Sequence, residues 1–377
     1  MKTVRHGSRA RIAAISLAAG GAMLVAGCGA ANETAAPPAA GGSGGEAQPT
    51  VSGTIAGAGA SSQQAAMEAW IAGFTSANPD ATINYDPSGS GAGREQFIGN
   101  AVAFAGSDAA LKDEELANAQ TRCGGPDSVI ELPVYVSPIA IIYKLDGVSE
   151  LNLAPATIAQ IFDRKITTWN DPAIAADNPG VTLPATAITP VNRSDESGTT
   201  QNFTDYLSKA APEAWTYPAA GAWPVPGGEA AQGTSGVVGA VSGGNGTIGY
   251  ADASQAKDLG IAKVKVGSEY VAPSPEAAAA VVAASERVEG RGQYNFAISL
   301  ARDTTESGAY PVVLVSYDIA CTQYPDQATA DLVKGFLGYV ISEDGQTAAA
   351  GAAGSAPITD EQRSTYEPAV EAIKAAG

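Results

Sequence analysis

The sequence predicts an α/β fold, because apolar strand-like runs are repeatedly followed by a turn rich in Ser and Gly and then by a helix-like run. The chain of 377 residues is long enough for two domains. Four such junctions follow the strand-like runs 54–56, 82–85, 102–108 and 187–191. Free backbone N–H groups at the start of a helix, together with hydroxyl side chains, suit the binding of an anion.

The junction at 192–200 is the one around which the chain is organised. Ser197 is a good N-cap, and Gly198, Thr199 and Thr200 would carry the first free N–H groups of a helix. Arg193 adds a two-pronged guanidinium, and Asp195 is placed to hold that guanidinium from behind. Taken alone, the segment is explained equally well by an ordinary surface turn.

The other junctions contribute Ser61 and Ser62 before a helix at 63–74, Ser90 in the turn 88–93, and Asp108 after its strand. Taken singly, the turn 88–93 is typical of a flexible loop and Asp108 of a helix cap. A nucleotide site is not favoured, since Ser62 stands where the dinucleotide fingerprint has its third Gly and the chain has no Gly-Lys dipeptide.

The N-terminus is typical of an export signal. A basic start precedes the apolar run 12–26, which ends in small residues before Cys28. This end resembles a bacterial lipobox, which implies that the signal peptide 1–27 is removed and that Cys28 carries a diacylglycerol. An uncleaved anchor helix is the alternative, but 15 apolar residues are too few to cross a bilayer comfortably. Residues 28–50 then form a flexible linker, and the protein is held on the extracytoplasmic face of the cell membrane.

Charge and composition exclude several classes of function. Removal of the signal peptide takes four basic residues away, so that the net charge falls from −18 to −22, and an acidic surface disfavours nucleic acid. The single histidine, His6, lies in the signal peptide, so neither a histidine-dependent nucleophile nor a histidine metal ligand is expected. No metal or cofactor is predicted. In an oxidising compartment Cys123 and Cys321 are most simply a disulfide, with two buried free thiols as the alternative.

From about residue 54 onward, the chain resembles the substrate-binding lipoprotein of the ABC-type phosphate importer, a periplasmic binding protein of two lobes. The motifs that carry the resemblance are GAGAS at 57–61, GSG at 89–91, GSDA at 106–109, ITTWNDPAI at 166–174, NPG at 178–180 and RSDESGT at 193–199. The resemblance implies a type II fold in which each lobe is a mixed sheet flanked by helices and the ligand lies in the cleft between them. The implied phosphate contacts are Ser61, Ser62, Ser90, Asp108, Arg193, Ser197, Gly198 and Thr199, with Asp195 behind Arg193. Glu196 departs from the glycine common in the family and adds a negative charge near the site, and Ser62 departs from the usual aromatic residue.

The same resemblance implies a first lobe at 51–136 and 310–377 and a second lobe at 137–309. The apolar runs 129–136 and 139–144 would cross between the lobes, with Ser137 and Pro138 as a hinge. Further helices are expected at 155–162, 275–288, 326–341 and 359–375, and strands at 247–250 and 312–320.

The expected function is a monomeric, lipid-anchored phosphate receptor that is not an enzyme and that delivers phosphate to the permease subunits of an ABC transporter. Two alternatives remain. One is a receptor for sulfate or molybdate. The other is an extracellular phosphoester hydrolase that uses Ser61, Ser90 or Ser197 with a distant Lys165 or Lys209.

Overall fold

The computed structural model describes residues 51–256 and 258–377. Its helices are α1 (Gln64–Ala77), α2 (Ser90–Ile98), α3 (Asp113–Cys123), α4 (Pro155–Phe162), α5 (Pro172–Asp177), α6 (Gly198–Ala210), α7 (Gly233–Ser242), α8 (Pro275–Ala283), α9 (Gln327–Ile341), α10 (Glu343–Ala353) and α11 (Asp360–Glu371). Its strands are β1 (Gly53–Gly59), β2 (Ala81–Asp86), β3 (Phe104–Ser107), β4 (Val129–Lys144), β5 (Asn152–Leu153), β6 (Thr189–Arg193), β7 (Glu229–Ala231), β8 (Thr247–Asp252), β9 (Gly260–Val266), β10 (Glu269–Val271), β11 (Glu286–Arg287), β12 (Ile298–Ser299), β13 (Val313–Cys321), β14 (Gln323–Tyr324) and β15 (Lys374–Ala375). The signal peptide, Cys28 and the linker lie outside the described residues.

The main sheet runs in the order β2-β1-β3-β13-β4-β8-β6-β7, with β9 also pairing with β4. We call β1, β2, β3, β13 and β4 up to Pro138 the first body, and β4 from Ile139 together with β6, β7, β8 and β9 the second body. Both bodies mix parallel and antiparallel pairs, as the α/β prediction requires. The candidate junctions after β1, β2 and β3 therefore belong to the first body, and the junction after β6 belongs to the second.

A single strand, β4, joins the two bodies. Its residues up to Pro138 pair with β13, and its residues from Ile139 onward pair with β8. The sequence predicted two runs separated by a hinge at Ser137 and Pro138, but the backbone stays extended through both residues. A proline fits here because Pro138 pairs with Val313 only at the last position of that ladder.

The second junction differs from its prediction in a way that concerns the site. Residues 88–93 were expected to form a turn before a helix at 94–98, but α2 begins at Ser90. The glycines within it are explained by close packing and not by a turn: a Cβ at Gly93 would lie 2.4 Å from the Cα of Gly59. The helix can approach β1 only because this position has no side chain.

Other differences lie at element ends and in glycine-rich or charged segments. The helix expected at 275–288 ends at Ala283, where the chain turns into β11, and the last helix ends at Glu371 before β15. Helices α3, α5, α7 and α10 were not predicted. The sequence of α7 contains three glycines and that of α10 contains two, which lower intrinsic helix propensity, so these helices depend on packing against the sheet and against their neighbours.

Cys123, at the end of α3, forms a disulfide with Cys321, at the end of β13. The predicted pairing is thus confirmed, and it closes a loop of 198 residues. Within the described residues, no helix has both the length and the apolar character needed to span a membrane.

Candidate functional site

The predicted contact residues come from four junctions, and the fold brings these junctions together. Those after β1, β2 and β3 supply Ser61 and Ser62, Ser90, and Asp108, respectively, and that after β6 supplies the rest. All eight residues are buried. The site therefore combines groups from both bodies in one sheltered region.

Asp108 lies at the centre of this region. One carboxylate oxygen accepts a hydrogen bond from the Ser62 hydroxyl at 2.6 Å, and the other accepts one from the Thr199 hydroxyl at 2.8 Å. Its backbone N–H donates to Ser90 Oγ at 3.1 Å, and its carbonyl oxygen accepts from Asn202 Nδ2 at 2.6 Å. Asp108 is thus held by the first body through Ser62 and Ser90 and by the second body through Thr199 and Asn202.

The ionisation of Asp108 is set by opposing effects. Burial raises the pKa of its carboxyl group above the ordinary value, while the hydrogen bonds from Ser62 and Thr199 and the positive charge of Arg193 lower it, and the net direction is upward. The hydroxyl of Ser62 therefore donates to this carboxylate and favours its ionised form.

The guanidinium of Arg193 is aimed by Asp195. Its Nε lies 2.8 Å from Asp195 Oδ1, and Nη2 contacts the other carboxylate oxygen, so Asp195 binds the guanidinium through both of its oxygens. Burial raises the pKa of Asp195, but the hydrogen bond and charge of Arg193 outweigh it and hold that pKa below the ordinary value. Gly89 can lie close to this pair because it has no side chain, since a Cβ there would lie 2.5 Å from Asp195 Oδ2, and its positive φ also favours glycine.

The start of α6 has the form that the sequence predicts. Ser197 is the N-cap, and its hydroxyl oxygen accepts a hydrogen bond from the N–H of Thr200 at 3.2 Å. Gly198 packs so tightly that an added Cβ would lie 2.6 Å from both Asp108 Cβ and Ser90 Oγ. Only glycine can therefore occupy this position without moving the other two junctions.

The sequence reasoning missed a contribution from α7. Ser61 Oγ accepts a hydrogen bond from the N–H of Thr234 at 3.1 Å, and the two hydroxyl oxygens are also 3.1 Å apart. The N–H of Gly233 donates to Asp195 Oδ1 at 3.1 Å. The first residues of α7 thus link Ser61 to the Arg193–Asp195 pair, and the Gly-Thr-Ser-Gly stretch before a pair of valines was the available signal.

The lysines that a serine nucleophile would need are engaged elsewhere. Lys165 pairs with Asp163, and Lys209 pairs with Asp205. The hydroxyl of Ser197 is used as a helix cap, and that of Ser90 accepts from the backbone. Among the described residues, no group of three or more His, Cys, Asp or Glu side chains is placed to hold a metal ion.

The chemistry of the cluster is that of an oxyanion site with one exception. Hydroxyl groups, helix N–H groups and a guanidinium are donors, whereas an ionised carboxylate can only accept. A fully deprotonated anion would satisfy the donors but would oppose Asp108 with another acceptor. The combination therefore suits an oxyanion that carries a proton.

Comparisons with known proteins agree with this arrangement. Residues 44–344 match the family model of the PBP superfamily domain. The chain is 38% identical over 370 residues to phosphate-binding protein PstS 3 of Mycobacterium leprae, covering 96% of this chain and 98% of that protein. It is 40% identical over 330 residues to PstS 3 of Mycobacterium tuberculosis strain H37Rv, covering 85% and 86%.

Two solved structures share the fold. The high affinity periplasmic phosphate-binding protein PfluDING aligns with a TM-score of 0.69 and 22% identity, covering 84% of this chain and 93% of that one. The phosphate-binding protein from Stenotrophomonas maltophilia aligns with a TM-score of 0.64 and 21% identity over the same shares. The predicted two-lobed fold of the periplasmic binding proteins is thus confirmed. By its sequence relatives and its family model, the chain belongs to the PstS phosphate-binding protein family of the PBP superfamily.

Proposed function

We propose that this protein is a receptor that binds inorganic phosphate and delivers it to the permease subunits of an ABC transporter. The names of its relatives support the ligand, and the buried donor cluster supports an anion. The proposed contacts are Ser61, Ser62, Ser90, Asp108, Arg193, Ser197, Gly198 and Thr199, with Asp195 orienting Arg193. The lobes would comprise 51–136 with 310–377, and 137–309, and the protein would act as a monomer.

The observation that carries this proposal is the position of Asp108 among donors. Phosphate at neutral pH still carries a proton that can be donated to the carboxylate, while its other oxygens accept from the hydroxyl, N–H and guanidinium groups. Sulfate has no proton to donate. Phosphate is therefore the oxyanion whose donor and acceptor pattern matches both parts of the site.

A binding role is favoured over hydrolysis. The relatives are named as binding proteins, and the two lysines considered as bases pair with aspartates. A serine without a general base is a weak nucleophile. Incubation with a chromogenic phosphomonoester is expected to give no turnover above the uncatalysed rate.

We further propose that the diacylglycerol on Cys28 holds the receptor on the extracytoplasmic face of the cell membrane. Two acyl chains suffice for stable anchoring. Cys28→Ser is expected to move the protein from the membrane fraction to the soluble fraction, and retention in the membrane would contradict this anchor.

Calorimetric titration tests the ligand directly. The segment from Pro49 to Gly377 forms one compact unit and is suitable for titration with phosphate, arsenate and sulfate at neutral pH. We expect phosphate and arsenate, which both carry a proton, to bind, and sulfate to bind at least about a thousandfold more weakly. Equal binding of sulfate and phosphate would contradict the proposed role of Asp108.

A further inference from the structure

Glu196 connects the two bodies beside the site without belonging to the proposed phosphate contacts. It lies between β6 and α6, in the second body, and its carboxylate oxygens lie 3.2 and 3.3 Å from Nη2 of Arg94, on α2 in the first body. Its backbone oxygen accepts a hydrogen bond from the N–H of Gly91, also on α2, at 3.1 Å. The charge that appeared unfavourable in the sequence is therefore paired across the two bodies.

Arg94 depends on this contact because it is a buried cation. Its side chain is 1% exposed, with Nε donating to Glu115 at 3.0 Å and Nη1 donating to Ser107 Oγ at 3.0 Å. Nη2 has Glu196 as its hydrogen-bond partner. Removal of the Glu196 charge would leave Glu115 as the counter-charge at Nε but would take the charged partner away from Nη2 in a buried site.

The surrounding backbone is shaped to receive the glutamate. A Cβ at Gly91 would lie 2.1 Å from Glu196 Oε2, and a Cβ at Gly221 would lie 2.8 Å from Oε1. The side chain therefore fits between one glycine on α2 and one in the segment between α6 and β7, and a larger residue at either position would displace it.

A second cation offers a natural comparison. Lys112 Nζ lies 2.8 Å from Glu196 Oε1, but the lysine side chain is 52% exposed and that of Glu196 is 34% exposed. Exposed ion pairs contribute little because water screens them and the side chains lose conformational freedom. Arg94, and not Lys112, is thus the partner through which Glu196 acts.

We propose that Glu196 is a positioning residue that ties α2 to the start of α6 and slows the release of the bound anion. This inference rests on the proposed phosphate binding. Ser90 is the first residue of α2, and Ser197 follows Glu196 directly, so the tie fixes the separation between proposed contacts on the two bodies. Separation of the bodies breaks the Arg94–Glu196 contact, and the loss of its charge-assisted hydrogen bonds adds to the barrier for release.

The test compares wild type with Glu196→Gln, which keeps the shape of the side chain and removes its charge. Phosphate association and release are followed by stopped-flow tryptophan fluorescence on the full-length protein in detergent. We expect release to be about tenfold faster and association to stay within about threefold. The control, Lys112→Met, is expected to leave the release rate within about twofold. Glu196→Asp, which keeps the charge but withdraws it by one methylene, is expected to give a smaller increase and replaces the glutamine variant if that variant does not fold.

The outcomes separate the tie from the proposed function. If Glu196→Gln binds phosphate and releases it at the wild-type rate, the positioning role of Glu196 is wrong and the proposed phosphate binding still stands. A fall in melting temperature with an unchanged release rate would assign Glu196 a purely structural role and would also overturn it. If wild type binds no phosphate, the proposed function fails, and small-angle scattering in phosphate-free buffer decides the tie. A larger radius of gyration in Glu196→Gln supports the tie, and an equal radius contradicts it.

Discussion

The substitution Asp108→Asn removes the charge of the carboxylate and keeps the shape of the side chain. In the structure one carboxylate oxygen accepts from Ser62 and the other from Thr199. An asparagine keeps one acceptor oxygen and places an amide NH₂ at the other position. The hydroxyl that faces the NH₂ can rotate to accept from it, because a hydroxyl is both donor and acceptor. The substitution should therefore leave the local packing intact.

The expected change in selectivity follows from this geometry. With the wild-type carboxylate, sulfate places acceptor against acceptor in a buried site, and such unpaired groups cost several kcal/mol, equivalent to about a thousandfold in affinity. The asparagine NH₂ converts that repulsion into a hydrogen bond to sulfate. We expect the dissociation constant for sulfate to fall from about a thousandfold to about tenfold above that for phosphate. The affinity for phosphate should fall about tenfold because one charge-assisted hydrogen bond is lost.

The assay is competition of sulfate against a phosphate titration reported by tryptophan fluorescence. Trp223 is a suitable reporter, since its ring stacks on Tyr250, whose hydroxyl group accepts from the N–H of Arg193. Asp195→Asn is the matched control, because it makes the same chemical change at a carboxylate that contacts Arg193. Asp195→Asn should weaken the binding of both anions and leave the ratio of their dissociation constants unchanged. An unchanged ratio in Asp108→Asn would refute the reasoning.

The pH dependence provides an internal check. Burial raises the pKa of Asp108, so its carboxyl group gains a proton at a higher pH than an exposed aspartate does. The protonated group can donate a hydrogen bond, and sulfate rejection by wild type is therefore expected to weaken as the pH falls. In Asp108→Asn the ratio of the dissociation constants for sulfate and phosphate should be nearly independent of pH. Parallel pH profiles for the two proteins would assign the wild-type trend to another group.

The remaining predictions concern affinity and stability. Arg193→Ala is expected to weaken phosphate binding by roughly 2–5 kcal/mol with an unchanged circular dichroism spectrum, and near-normal affinity would make 192–200 an ordinary turn. Loss of the Cys123–Cys321 disulfide, which closes 198 residues, should lower the free energy of unfolding by about 5 kcal/mol, and equal values in urea titrations with and without reductant would contradict this. Burial raises the pKa of Asp318 to about 7, so the folded chain binds this proton more tightly than the unfolded chain does. Stability should therefore decrease by about 2–3 kcal/mol between pH 5 and pH 8, and a denaturant series on Asp318→Asn should show a flatter profile.

Local chemistry explains what could be predicted of the site. Ser197 caps α6, Gly198 begins it, and Asp195 faces Arg193, all of which depend on residues within a few positions of one another. Helix capping and short-range ion pairing depend on residues that are near each other in the chain, so they can be predicted from one sequence. The junctions after β1 and β3 were identified in the same way.

What the sequence did not reveal depends on distant partners. Thr234 contacts Ser61 across 173 positions, and Glu196 contacts Arg94 across 102. The start of α2 at Ser90 was missed because glycine lowers helix propensity, whereas Gly93 is required by the approach of Gly59. Such requirements arise only once the strands and helices are packed, and no local pattern records them.

The continuity of β4 limits how far this protein can be treated as two separable modules. In the second body its residues from Ile139 onward pair with β8, and residues 141–143 also pair with β9, so this sheet has an internal strand that begins in the other body. A chain cut at Pro138 would leave the part of β4 up to Pro138 in one fragment and β13, the strand with which it pairs, in the other. Exchange of one lobe between relatives would therefore have to carry all of β4 with it, and each half of that strand would need to match a different sheet.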